Sequence, residues 1–131
     1  MARRLLTVVV ALASVASLSA CGSRSIGVAK SSPYYEGAKL FSERCSGCHT
    51  LDEVGAEGSA TKVRDRERVD GPNFNTRKEQ VSQVLYAIEN GGFSGAIMPE
   101  NIVVGSEARA VAQFLAKYSG TQAKRPPTPN G

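Results

Sequence analysis

The chain has 131 residues, of which 41% are hydrophobic and 21% charged, and this size allows one domain with one core. Its formal net charge is +4. Loss of an N-terminal segment that contains Arg3 and Arg4 would lower the net charge from +4 to +2. The charge therefore gives no support for nucleic-acid binding. Four Phe, four Tyr and no Trp supply few large apolar side chains, a composition that favours stabilisation by a disulfide, metal or cofactor.

The N-terminal segment predicts export. Two arginines precede an unbroken run of apolar and small residues, 5–18, which is shorter than the ~20 residues of a membrane-spanning helix. The pattern indicates a signal peptide over residues 1–20. The motif "LSAC", which ends at Cys21, resembles the lipobox of bacterial lipoproteins, in which the cysteine sulfur carries a diacylglycerol. The alternative is an ordinary signal peptide followed by a free thiol, a liability in an oxidising compartment, so the lipid is favoured.

Beyond the signal peptide the sequence divides into three parts. Residues 21–33, which begin with the lipidated cysteine, are rich in Ser and Gly without an apolar period and predict a flexible tether. Residues 121–131 are rich in Pro and predict a disordered tail. Residues 34–120 lie between them and predict one all-α domain with about three main helices and no convincing strand pair.

Three helices are predicted in chain order. The first covers residues 34–45. The second begins with "TRKE", residues 76–79, which has the pattern of a capping box, and Gly91 supplies its left-handed stop. The third begins near Ser106 and ends at Gly120. The apolar residues at one-face spacing are Val81, Val84, Leu85 and Ile88 in the second helix, and Ala108, Val111, Ala112, Leu115 and Tyr118 in the third.

Two long loops connect these helices. Residues 50–74 are glycine-containing and strongly charged, whereas residues 93–104 are apolar for a loop. Loops of such length in a compact domain usually have a function or wrap a ligand. Within the first loop, "KVRDRERV", residues 62–69, alternates in charge, which favours a solvated insert over a docking patch.

The motif "CSGCH" carries the chemistry of the chain, with Cys45 and Cys48 two residues apart and His49 directly after them. A thioredoxin-like dithiol needs a helix N-terminus after a strand, whereas this motif follows a helix. A structural zinc needs four ligands, and apart from Cys21 the chain has only these two cysteines and one histidine. The third possibility is covalent haem, in which both thiols form thioethers and the histidine binds the iron. This possibility is favoured.

A haem iron that only passes electrons needs a second axial ligand. Apart from Met1, the only methionine is Met98, in the apolar loop between the second and third helices. Pro99 stiffens this loop, and Gly95 and Ala96 allow its backbone to approach a flat ligand. These neighbours favour an iron ligand over a methionine that only fills the core.

With these motifs the sequence resembles the monohaem class I cytochromes c. The resemblance covers residues 34–120 and rests on "GAKLFSERCSGCH", "GPNF", "AIENGGFSGAIMP" and "VAQFLAKY". It implies a cytochrome c fold wrapped around one covalently bound haem c. The thioether residues it implies are Cys45 and Cys48, and the axial iron ligands it implies are His49 and Met98.

The resemblance also implies contacts around the haem. Gly37 and Phe41 of the first helix are expected to cross the last helix at Leu115 and Tyr118, since a glycine lets two backbones approach closely. The carbonyl of Pro72 is expected to accept the free N–H of the haem histidine. The expected pocket residues are Pro72, Asn73, Phe74 and Phe93. The chain departs from the family in its longer stretch between His49 and Gly71, and in having no tryptophan to meet a propionate, for which Tyr86 or Asn75 is the expected substitute.

The function that the resemblance implies is electron transfer without turnover chemistry, so no enzyme is expected. The carrier would be a lipid-anchored monomer on the outer face of a bacterial cytoplasmic membrane, and would pass one electron between protein partners of a respiratory chain. Two other functions stay open. The chain could be a fixed haem c subunit of a larger oxidoreductase complex. It could instead be a haem protein that binds gases or peroxide, if Met98 is not an iron ligand.

Overall fold

The computed structural model describes residues 25–60, 63–67, 69–93 and 97–122. The predicted signal peptide, Cys21, most of the predicted tail, and Gly95 with Ala96 lie outside these residues. The described chain forms three α-helices, α1 (Tyr35–Arg44), α2 (Val81–Asn90) and α3 (Gly105–Tyr118), with almost no sheet. The expected all-α class is confirmed. Within the described ranges, no helix is both long and apolar enough to cross a membrane.

Helices α1 and α3 pack closely at Gly37. A β-carbon at Gly37 would lie 2.7 Å from the carbonyl carbon of Ala110 and 2.7 Å from Cβ of Phe114, too close for ordinary van der Waals contact. The absence of a side chain therefore allows the two helices to meet. Phe41 and Phe114 are both fully buried beside this contact, with ring centroids 5.9 Å apart.

The partners across this contact differ from those expected. The atoms nearest to Gly37 belong to Ala110 and Phe114 rather than to Leu115 and Tyr118. Leu115 is buried in the core, whereas the ring of Tyr118 packs edge-on against Tyr34 at 5.8 Å. The resemblance identified the correct pair of helices but not the residues at their closest point.

Helix α2 begins later than predicted. Its N-cap is Gln80, and the reciprocal capping bonds join Gln80 and Gln83, so the capping box expected at residues 76–79 is wrong. The reason is tertiary, because Glu79 is buried and its N–H donates to Ser119 Oγ at 2.9 Å instead of entering a helix. The helix ends as expected at Gly91, whose φ is 66°.

A short strand pair contradicts the expectation of none. Strand β1 (Thr50–Leu51) pairs antiparallel with β2 (Ala56–Glu57), and a 3₁₀ turn (Asp52–Val54) connects them. Leu51, Val54 and Ala56 are fully buried. Strands of two residues are too short to show the alternation by which strands are recognised in a sequence.

The predicted tether is wrong from Ile26 onward. Val28 is buried in the core, Ile26 packs against it, and the N–H of Gly27 donates to the carbonyl of Glu53 at 2.7 Å. Two isolated apolar residues sufficed to attach this segment, although they show no period. The first residues of the predicted tail also make contact, since the N–H of Gln122 donates to the carbonyl of Asn75 at 2.7 Å.

Replacement of Gly37 by alanine tests the contact of α1 with α3. The added methyl group would force the helices apart, so we expect the free energy of unfolding to fall by about 1–3 kcal/mol, the usual cost of overpacking. Urea unfolding of the purified protein measures it. The control is Glu43→Ala on the exposed face of the same helix, which should change stability by less than about 0.5 kcal/mol. Equal stability of Gly37→Ala and the wild type would contradict the contact.

Candidate haem site

The cysteine motif forms a tight turn at the carboxyl end of α1. Cys45 is the C-cap of the helix, and its N–H donates to the carbonyl of Phe41 at 2.8 Å. The N–H groups of Cys48 and His49 both donate to the carbonyl of Cys45, at 3.1 and 3.0 Å. The turn places Cys45, Cys48 and His49 in the wall of one cavity.

The residues after β2 pack directly on the backbone of this turn. The N–H of Gly58 donates to the carbonyl of His49 at 3.1 Å. A β-carbon at Gly58 would lie 2.6 Å from the carbonyl oxygen of Ser46 and 2.7 Å from the amide nitrogen of Cys48. A glycine is therefore needed here, and the unexpected strand pair has a role in holding the attachment motif.

The imidazole of His49 is fixed by three neighbours. Its Nδ1 lies 3.2 Å from the carbonyl oxygen of Pro72, and its ring stacks on Phe74 with centroids 4.8 Å apart and planes 16° apart. A β-carbon at Gly71 would lie 2.5 Å from Nδ1. Because a carbonyl can only accept, Nδ1 carries the hydrogen, and Nε2 is left with a free lone pair for a metal.

The surroundings of His49 favour its neutral form. Burial lowers the pKa of the imidazole because it removes water from the charged ring. The hydrogen bond to Pro72 opposes this effect, and the nearby charge of Arg77 adds to it. A histidine binds a metal only when neutral, so this environment suits an iron ligand.

The two thiols lack the properties of a reactive dithiol. Burial, and to a lesser extent the neighbouring Cys48, raises the pKa of the Cys45 thiol to about 12. Cys45 also lies at the carboxyl end of α1, where the helix dipole does not favour a thiolate. In the part of the chain that the structure describes, no three or more His, Cys, Asp or Glu residues are grouped to hold a metal ion.

The cavity beside the motif has a volume of about 430 Å³. Pockets that bind organic cofactors measure ~300–1,000 Å³ and are mostly apolar. This cavity fits that description, since all three helices and the loop after α2 contribute apolar side chains to it. Among them are Phe41, Val84, Ile88, Met98, Ile102 and Leu115.

Main-chain contacts at Met98 and at Asn101 hold this loop against the carboxyl end of α2. Gly91 has a φ of 66°, and a β-carbon there would lie 2.8 Å from the carbonyl oxygen of Met98. The N–H of Asn101 donates to the carbonyl of Ile88 at 2.7 Å. Met98 is half-buried, packs against the core and lines the cavity. The loop therefore presents its methionine to the cavity that the cysteine motif also lines.

Three of the four expected pocket residues line the cavity, namely Pro72, Phe74 and Phe93. Phe74 is 8% exposed and forms part of the wall under the imidazole. Phe93 is 59% exposed, and its ring stacks on that of Tyr86 with centroids 5.1 Å apart. Phe93 thus lies at the mouth of the cavity rather than in its interior.

Asn73 is the exception, and it does not line the cavity. Its side-chain oxygen accepts the N–H of Asn75 at 2.9 Å. The amide of Asn75 is in turn bonded to Asp52, through Nδ2 to Oδ1 at 2.7 Å. Neither Asn75 nor Tyr86 lines the cavity, so the structure gives no support to the expectation that one of them meets a propionate. The two asparagines instead connect residues 73–75 to the 3₁₀ turn between β1 and β2.

Sequence reasoning missed the charged side chains in the cavity wall. They are Arg44, Arg66, Asp70, Arg77 and Glu79. Guanidinium groups bind carboxylates in a planar, two-pronged geometry, which suits the propionates of a haem. The available signal was Arg77 and Glu79 in the stretch before α2. From the sequence alone, this stretch was interpreted as a capping box.

The charged stretch at residues 62–69 agrees only in part with a solvated insert. Its described residues 64–67 are exposed, and Arg64 pairs with Asp65 at 3.4 Å. Arg66 and Val69, however, also line the cavity. The stretch therefore contributes to the site, although its alternating charges gave no indication of this.

The fold and the site together define a small all-α protein that binds haem covalently: two thiols and a histidine with a free Nε2 lie in the wall of an apolar cavity. The sequence profile of the family "Cytochrome c" matches residues 34–119, more than half of the chain. The chain therefore belongs to the cytochrome c family, the haem-based electron carriers with covalently bound haem c. A search among curated proteins found no match.

Replacement of Gly71 by alanine tests the fixed position of His49. The new methyl group would overlap the imidazole, so we expect a shifted ring, an altered visible spectrum of the haem protein and a stability loss of about 1–3 kcal/mol. Absorption spectroscopy and urea unfolding measure these effects. Gly47→Ala is the matched control, because a β-carbon there meets no atom within 4 Å. The idea fails if the two variants behave alike.

Proposed function

We propose that this chain is a single-haem electron carrier with His49 and Met98 as the axial ligands of the iron. Cys45 and Cys48 would hold the haem as thioethers. The observation that carries the proposal is that Met98, from the loop after α2, lines the same cavity as the cysteine motif. With both axial positions filled, the iron has no open position for a substrate, and the protein is not an enzyme.

The chemistry of the site suits electron transfer at a positive potential. A thioether is a soft, weakly donating ligand that stabilises ferrous iron. The mostly apolar lining acts in the same direction, because low dielectric disfavours the additional charge of ferric iron. The hydrogen bond from His49 to Pro72 keeps the imidazole in one orientation through the redox cycle.

The mouth of the cavity supports exchange of electrons with another protein. Val69, Phe93 and Ile97 line the cavity and are also 47%, 59% and 51% exposed. A haem in the cavity would thus have an edge close to the surface on this side. Exposed apolar side chains around that edge would allow brief contact with a partner.

We extend the proposal to location on the basis of the sequence. Export, a lipid on Cys21, monomeric state and partners in a membrane respiratory chain all remain parts of it. Because Ile26 and Val28 pack on the domain, the lipidated residue would be separated from Ile26 by at most about 18 Å of extended chain. The haem domain would then stay close to the membrane surface.

Replacement of Met98 by alanine tests the carrier function. The sixth position of the iron would open to water or a small ligand, so we expect a lower midpoint potential, loss of the methionine-to-iron absorption band and new binding of carbon monoxide. Redox titration and absorption spectra with and without carbon monoxide measure these properties.

The control for this experiment is Val104→Ala, in the same loop but 60% exposed and not in the cavity wall. It should keep the wild-type spectrum and potential. If the wild-type ferrous protein already binds carbon monoxide readily, the electron-carrier function is rejected, and the chain is a haem protein that binds gases. If the protein always co-purifies with the same partner proteins from membranes dissolved in mild detergent, it is a subunit of a larger complex.

The lipid anchor is tested by exchanging residues 1–21 for a cleavable signal peptide without a lipobox. Lipid chains contribute ~0.8 kcal/mol per buried CH₂, so we expect the exchanged protein to be released in soluble form with an unchanged spectrum. Fractionation at high salt and the mass of the N-terminal peptide measure this. The control is a protein in which residues 1–20 are exchanged for another signal peptide that keeps Cys21 in a lipobox. This control protein should remain with membranes. Membrane retention of both proteins would rule out the lipid as the anchor.

A further inference from the structure

Glu79 is a buried carboxylate in the wall of the haem cavity. It is 4% exposed and lies directly before the N-cap of α2. Its N–H donates to Ser119 Oγ at 2.9 Å, which ties it to the carboxyl end of α3. A charged carboxylate in such a place is costly unless it is fully paired and hydrogen-bonded.

The pairing of Glu79 is incomplete. Among the residues that the structure describes, its ionic partner is Arg77, whose Nε lies 2.6 Å from Oε1 of Glu79. The contact lacks the geometry of a hydrogen bond, and Oε1 is buried without a hydrogen-bond donor. The side chain of Arg77 is 48% exposed, so water screens much of its charge. The structure therefore leaves the charged form of Glu79 poorly stabilised.

The other groups around Glu79 do not complete the stabilisation of its carboxylate. Burial raises the pKa of its carboxyl, and the charge of Arg77 opposes this only in part. The nearest lysine in sequence, Lys78, instead places its ammonium 2.6 Å from the carbonyl of Ala116. The titratable or charged groups that share the cavity wall are Arg44 on α1, Cys45, Cys48 and His49 in the turn after it, and Arg66, Asp70 and Arg77 before α2.

A haem in the cavity would favour the neutral acid further. It would displace the remaining water from the part of Glu79 that lines the cavity. Ferric iron acts in the opposite direction, because it carries one more positive charge than ferrous iron and so favours the carboxylate. This positive charge is lost on reduction, and the low dielectric of the cavity strengthens the effect.

We propose that Glu79 is a redox-linked proton site, which takes up a proton when the protein is reduced and releases it when the protein is oxidised. The inference rests on the proposed electron-carrier function. On reduction, one electron comes from the donor protein and one proton from water, so that iron(III) and the Glu79 carboxylate become iron(II) and the Glu79 carboxylic acid. Delivery of the electron to an acceptor returns the proton to solvent.

The sign of the resulting pH dependence follows from the two states. The carboxyl has a lower pKa in the ferric protein than in the ferrous protein. Below both values and above both values the midpoint potential is independent of pH. Between them it falls as pH rises, because reduction then requires a proton, with a limit of ~59 mV per pH unit for one electron. We expect reduction to raise the proton affinity of Glu79 about threefold or more, a total change of ~30 mV.

The experiment compares the midpoint potential of the wild-type haem protein with that of Glu79→Gln across the range from about pH 4 to pH 9, which contains the titrations of carboxyl groups. The wild type should show the falling segment, and Glu79→Gln should lack it. The two potentials should agree at low pH, and the variant should be higher at high pH. Glu89→Gln, on an exposed part of α2, is the matched control and should keep the wild-type profile.

Two further measurements test whether Glu79 is the group that titrates, and the first of them separates it from the haem propionates. The infrared difference spectrum between reduced and oxidised wild type should contain a carboxylic acid band that Glu79→Gln lacks. Arg77→Gln should move the falling segment to higher pH, because Arg77 stabilises the carboxylate. The Arg77→Gln measurement does not use Glu79→Gln, so it remains informative if Glu79→Gln does not fold.

The proposal is overturned if the wild-type potential is independent of pH throughout, or if Glu79→Gln keeps the whole falling segment. Propionate titration alone would give the second result. If either of these results is found in a protein that cycles reversibly by one electron and does not bind carbon monoxide, the proton site is rejected. The electron-carrier function is then left intact. Loss of reversible cycling, or ready carbon monoxide binding, would instead remove the function on which the inference rests.

Discussion

The close approach of α1 and α3 at Gly37 is the constraint on which the remaining structure depends. It fixes the carboxyl end of α1, where the cysteine motif turns, relative to the carboxyl end of α3. From that second end, the N–H of Gly120 donates to the carbonyl of Phe74 at 2.7 Å. Phe74 in turn stacks on His49. One contact between two helices thus positions both the histidine and the aromatic ring beneath it.

The cavity combines an apolar interior with charged groups at part of its wall. The interior suits a flat, largely apolar cofactor and lowers the effective dielectric around it. The arginines can meet carboxylates of that cofactor, whereas Glu79 adds a negative charge where charge is poorly stabilised. A buried acid of this kind lowers the stability of the folded chain. Buried titratable groups are often associated with function.

Several parts of this protein were predictable because they depend on residues close together in the sequence. The order and spacing of Cys45, Cys48 and His49 indicate covalent haem, and no tertiary information is needed for that inference. The apolar spacing in α2 and α3 indicates two helices, and Gly91 indicates where α2 ends. Local chemistry and helical period suffice in these cases, and the family profile agrees with the result.

Other features were decided only by tertiary structure, because they depend on residues far apart in the chain. Glu79 belongs to the cavity wall, and not to a capping box, since its N–H meets Ser119 forty residues later. Val28 is buried in the core and the neighbouring Gly27 donates its N–H to the carbonyl of Glu53, a contact that no period in its own segment reveals. The sequence by itself determined the haem motif and the helices. Long-range packing decided which charged groups line the cavity, since their spacing along the chain carries no signal of that arrangement.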